Sequence, residues 1–163
     1  MKRSAVAVSA VVVTIALTAT GCSGTADVGS GMDDTVRAVR DRVETVARTS
    51  SSPAELERRI RDGESYTLLL LDPTPDELRG TRPFPSTAIT AVSRAGDQVE
   101  VELFTTGQGS RRAGWFGDEA VNAVGCVHLS ARPGGRTTAS GSRCGDAVQE
   151  VFRDPWVEVR LRP

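Results

Sequence analysis

The feature that most constrains this chain is a change of hydrophobic period near residue 64. Before it, apolar residues recur every three or four positions. In DDTVRAVRDRVETVAR (33–48) they are Val36, Val39, Val43 and Val46, one stripe along a helix. Asp33 and Asp34 open the segment, where the helix dipole favours negative charge. The opposite face, with Arg37, Asp41, Glu44 and Arg48, is a solvated mix of charges. Such a stripe could bind a partner helix, but the segment is short for a coiled coil, so it is expected to dock on the chain's own sheet. Ser50-Ser51-Ser52 interrupts the pattern. SPAE (52–55) then has the form of a capping box, with Pro53 in the first turn. Leu56 and Ile60 share a face and Gly63 supplies a stop, which predicts a second helix over 53–62.

After residue 64 the period becomes strand-like. SYTLLLLD (65–72) is an apolar run ending at Asp72-Pro73-Thr74-Pro75, which predicts a central strand buried on both sides. Four prolines over 73–85 predict a loop, with one helical turn at Asp76–Arg79. TAITAVSR (87–94) and QVEVELFT (98–105), joined by Ala95-Gly96-Asp97, form a hairpin pattern. In the second strand Val99, Val101 and Leu103 are expected in the core, while Glu100, Glu102 and Phe104 lie on a largely wet face. GQGSRRAGWFG (107–117) reads as a glycine-rich loop, 120–132 as a strand, Asp146–Phe152 as a helical turn, and WVEVRLR (156–162) as a last strand with Val157, Val159 and Leu161 inward. Helices followed by a run of strands predict an α+β fold: two N-terminal helices packed on a small antiparallel sheet with a disulfide-bridged hairpin.

Three cysteines, Cys22, Cys126 and Cys144, are present. CxxC spacing is absent and His128 is the sole histidine, so thiolate metal or redox chemistry has little support. Pro133-Gly134-Gly135 is a turn signal between the second and third cysteines. A loop at Gly134–Arg136 would set Cys126 directly opposite Cys144 in a hairpin, at a separation a disulfide can bridge.

The opening segment speaks to location. Lys2 and Arg3 precede an apolar run, Ala5–Leu17, too short to span a bilayer as a helix. Small residues then lead to Cys22. This is the layout of a secretory signal, and Ala19-Thr20-Gly21-Cys22 resembles the lipobox of bacterial lipoproteins. That resemblance implies cleavage after residue 21, a diacylglycerol and an acyl chain such as palmitate on Cys22, and an extracytoplasmic domain held at the cell membrane, since two or more acyl chains anchor stably. Residues 1–21 are then a signal peptide, 22–32, rich in Gly, Ser and Thr, a lipidated flexible tether, and 33–163 a single α+β domain.

Few features carry chemistry. Net charge is −1, which offers no basic excess for nucleic acid. Lys2 is the sole lysine; the arginine bias reads as the codon usage of a GC-rich genome. His128 has no G-x-S-x-G serine to serve and reads as structural. Glu100 and Glu102 lie about 7 Å apart on one strand face by strand rise, as any solvated strand face would show. The loop 107–117 holds the candidate binding residues Arg111, Arg112, Trp115 and Phe116, since arginine and tryptophan dominate interface hot spots. The alternative is that the two aromatics turn inward as core. The loop lacks the GK[ST] ending of a P-loop. No catalytic residue, metal or cofactor is expected.

Downstream of the lipobox, the Val/Arg-rich helix, strand hairpin, glycine-rich loop and paired cysteines resemble small actinobacterial lipoproteins of unknown function, a likeness that implies no activity. LLDPTPDELRGTRPFPSTAITAVSRAGDQVEVEL (70–103) resembles the GerMN-type module of spore-germination and envelope lipoproteins, which joins a Pro-Thr-Pro helix start to a valine-rich strand. The expectation is a non-catalytic binding or accessory module of the cell envelope with a membrane anchor and an envelope protein partner. A small envelope enzyme or a GerMN-like ligand-binding module is the alternative.

Overall fold

The computed structural model describes residues 24–112 and 118–163. In chain order its elements are α1 (Gly24–Arg48), α2 (Pro53–Arg61), α3 (Pro75–Gly80), β1 (Thr87–Ala95), β2 (Gln98–Arg112), β3 (Asp118–Ala131), β4 (Thr137–Ser142), α4 (Asp146–Val151) and β5 (Trp156–Glu158). The α+β class stands. β1 to β4 are antiparallel neighbours in sequence order, and β5 joins β3 in parallel through Asn122–Val124.

The valine stripe is buried against the chain's own sheet. Val36, Val39, Val43 and Val46 are at most 4% exposed and share a core with Val99, Val101, Leu103, Val127 and Leu129. Burying each such side chain contributes roughly 1.5–3 kcal/mol, so this face is not left for a partner helix. α2 adds Leu56 and Ile60 to the same core. Ser52 caps α2 by accepting from the Glu55 N–H at 3.2 Å, while the Glu55 carboxylate turns back to the Ser51 N–H at 2.8 Å. The C-terminal end of α1 is latched to the β3–β4 hairpin. Glu44 accepts from the Thr137 N–H at 3.1 Å, and the Gly134 N–H donates to the Ala47 carbonyl at 2.8 Å.

Several expectations are corrected. The tether expected over 22–32 is helix from Gly24 onward, with Val28 and Met32 buried. These two residues extend the valine stripe upstream, and Gly107 makes room for them: a Cβ there would lie 2.9 Å from the Met32 Sδ and 3.0 Å from Val28. Small residues can line a helix once a sheet covers it. The predicted central strand at 65–72 is no strand. It touches β1 through an isolated parallel bridge, Leu69 to Ile89, and it leaves Tyr66 86% and Leu68 48% exposed. Positive φ at Tyr66 and Asp72 breaks the extended path at both ends.

The glycine-rich stretch is also largely strand. Residues 107–112 continue β2 and pair with 118–123, out to Arg112 opposite Asp118. The Cys126 register is shifted as well. Cys126 faces Ser142, not Cys144, because the β3–β4 turn spans 132–136. The last strand keeps three residues, and Val157 is 37% exposed rather than inward.

The second face of the sheet differs most from expectation. Phe104, placed on the wet face by alternation, is fully buried. Leu78 of α3, Val148 of α4 and Phe152 cover it, together with Val124 and both bridged cysteines. Phe84, Phe104, Phe152 and Trp156 form a tilted and edge-to-face aromatic cluster with centroids 4.6–5.7 Å apart. α3 carries a full capping box between Thr74 and Glu77, and Arg79 joins it to α4 through Glu150 at 2.8 Å. This cover reaches only one end of the face. At the other end Glu102, Thr138 and Ser140 stay exposed, with Glu100, His128 and Ser130 half-buried.

Candidate functional site

The boundary between the covered and bare ends of this second face is a cleft of about 180 Å³. Three local devices build it. The first is a β-bulge: pairing of β1 with β2 shifts between Ile89 and Ala91, which leaves Thr90 out of register. Bulges bend a strand and re-aim its side chains, and Thr90 here donates through Oγ1 to the Glu102 carbonyl at 3.3 Å. The second is the extended segment after Leu69, whose Asp72 N–H donates to the Thr90 carbonyl at 2.8 Å. The third is the Cys126–Cys144 disulfide, with Cα atoms 5.0 Å apart. It pins the chain leaving β4 to the middle of β3 and so fixes the segment that leads into α4.

Asp72, Glu102 and Asp146 bring carboxylates to the cleft and Arg143 a guanidinium, over a floor that includes the disulfide cysteine Cys126. The mixture suits a polar ligand or peptide with a basic group. Beside it, on the bare end, Glu100 is held by two neighbours. Gln98 donates to its Oε1 at 2.6 Å, and its Oε2 lies 2.6 Å from His128 Nε2. His128 thus stands against a cross-strand carboxylate, and Glu102 is its register partner on β2. The arrangement is a cross-strand pair, and the register partner of His128 on β4 is Ser140.

The residues singled out from sequence separate into three groups. Cys126 and Cys144 are joined. Arg111 and Arg112 end β2 opposite Glu119 and Asp118, far along the sheet from the cleft. Cys22, Trp115 and Phe116 lie outside the described residues. The aromatic cluster among the described residues is formed by Phe84, Phe104, Phe152 and Trp156. Asp72, Thr90, Arg143 and Asp146 escaped sequence reasoning. Of these only Arg143 carried a signal, as the neighbour of a bridged cysteine. Among the described residues no group of three or more His, Cys, Asp or Glu side chains is placed to hold a metal ion, and no helix is long and apolar enough to cross a membrane. The chain matches no protein family, no curated protein and no solved structure in comparison.

Proposed function

We propose that this protein is a lipid-anchored extracytoplasmic lipoprotein, held at the cell membrane through Cys22, that works as a non-catalytic binding or accessory module of the envelope. The observation that carries the reading is the disulfide between Cys126 and Cys144. Such bridges persist in oxidising compartments and are rare in the reducing cytosol, which agrees with an export signal ending at a lipidated cysteine. That α1 reaches back at least to Gly24 supports a domain carried close to the membrane, with little tether between lipid and fold. The cleft at the bulge is the binding surface in this reading, and its carboxylates favour a partner that presents basic groups.

The test is fractionation of cells that make the wild-type chain and Cys22→Ala. Wild type is expected in the membrane fraction and open to protease added outside the cells. The variant is expected to lose acylation, seen as the loss of incorporated labelled palmitate. An unacylated wild type, or one protected from external protease, would overturn the reading.

A further inference from the structure

Among the described residues, many arginines are neutralised: Arg40 by Asp41 at 2.9 Å, Arg58 by Asp62 at 3.1 Å, Arg59 by Glu64 at 2.7 Å, and Arg94 by Glu57 at 2.6 Å. Arg37 and Arg48 pair in the same way with Asp34 and Glu44. Arg143 and Arg160 make no ion pair or hydrogen bond with any described residue, yet both line one cleft of about 440 Å³ together with Gly141, Ser142 and Glu158.

The chain goes to some length to bring these two cations together. Arg143 follows β4 directly and precedes Cys144, which the disulfide fixes to β3. Arg160 lies on the terminal segment, which crosses β4 at Gly141. A Cβ at Gly141 would overlap the Leu161 carbonyl oxygen, so only a residue without a side chain permits the crossing. The Val159 N–H, bonded to the Val124 carbonyl at 2.8 Å, holds the segment before Arg160, and Leu161, buried in the main core, and the Arg162 N–H, bonded to Asp33 Oδ1 at 3.1 Å, hold it after. Glu158, the one acid lining this cleft, has Oε1 engaged by the Cys144 N–H at 3.2 Å. The cleft therefore presents two free guanidinium forks and one net positive charge. A concave site with an excess of positive charge concentrates anions, and paired arginine forks match the oxygens of a phosphate bidentately.

We propose that the cleft between β4 and the terminal segment is a phosphate-binding site, with Arg143 and Arg160 as its two cationic ligands and the Ser142 hydroxyl available as a further donor. The inference stands on this cleft alone and does not depend on anchoring through Cys22. Arg143 also borders the bulge cleft, so an occupied phosphate site would draw its charge away from Asp72, Glu102 and Asp146.

The test titrates the full chain in non-ionic detergent with inorganic phosphate, against chloride at equal ionic strength, and reads the rise in Tm. Binding to the native state alone raises Tm with ligand concentration. Phosphate is expected to stabilise beyond chloride. Arg143→Gln and Arg160→Gln should each weaken apparent affinity about tenfold or more, while Arg153→Gln, an unpaired arginine outside the cleft, leaves it unchanged. A parallel measurement on unmutated protein follows modification of arginines by phenylglyoxal, read by mass spectrometry, with phosphate expected to protect Arg143 and Arg160 and not Arg153. Repeating the titration with glycerophosphoglycerol separates two sources of the group. A matching shift assigns the site to a phosphodiester headgroup, and a shift with inorganic phosphate alone assigns it to a free phosphate or monoester. Equal shifts with phosphate and chloride, or undiminished phosphate shifts in both cleft variants, would overturn the proposal.

Discussion

The two faces of the sheet are built from the same strands but by different rules. One face is closed by α1 and α2 over the stretch of β2 from Val99 to Gly107, and the side chains that close it follow a helical period visible in the sequence. The other is closed at one end only, by short elements and aromatics from distant parts of the chain: Phe84, Leu78, Val148, Phe152 and Trp156. Leu103 and Phe104 make the contrast local. They are adjacent, point to opposite faces, and are both buried, at 1% and 0% exposure. A continuous helix makes one smooth wall. Short caps make an edge, and that edge is where the bulge cleft lies.

Truncation of the two neighbours breaks the comparison most directly. Phe104→Ala is expected to cost about 3–5 kcal/mol and Leu103→Ala about 2–5 kcal/mol, measured by urea unfolding. A cost below 1 kcal/mol at Phe104 would mean that the second face is wet there, as alternation alone suggests.

A smaller effect is expected at the crossing of β4 by the terminal segment. Gly141→Ala forces backbone apart, since the obstructing atom is the Leu161 carbonyl oxygen, and should cost roughly 1–3 kcal/mol. An unchanged urea midpoint would show that the terminal segment is not seated there.

The smallest effect sharpens the first face. The Thr137 N–H holds the Glu44 carboxyl below its ordinary value of 4.5, helped by Arg48. A carboxylate depressed in the folded state stabilises above its unfolded pKa and loses that contribution as pH falls through its folded pKa. Tm is thus expected to hold from neutrality down to about the ordinary glutamate range and to fall below it. Glu44→Gln should flatten part of that fall. Thr74 lowers Glu77 in the same way at the cap of α3, so some acid sensitivity remains in the variant.

What the sequence made legible follows the reach of the interactions. The valine stripe, the Ser52 cap and the Ala95–Gln98 hairpin all rest on neighbours within a few residues. The misread segments rest on distant ones. SYTLLLLD has the composition of a central strand, but β2 already occupies one side of β1, and the segment meets the other side in a single bridge. GTADVGSGM has the composition of a linker, yet Gly107 lets Val28 and Met32 dock on β2. Glycines at 107 and 109 suggested a loop where the backbone pairing of β2 with β3 simply continues.

By itself the sequence determined the α+β class, the helix that closes the first face, the hairpin of β1 and β2, and the partnership of Cys126 with Cys144. Local period, capping chemistry and turn residues decide those, because each is satisfied within one element or one turn. The tertiary structure alone decided the register that sets Cys126 against Ser142, the burial of Phe104, the bulge at Thr90, and the meeting of Arg143 with Arg160. Each depends on which backbone crosses which, and a one-dimensional pattern carries no record of a crossing between residues 141 and 161.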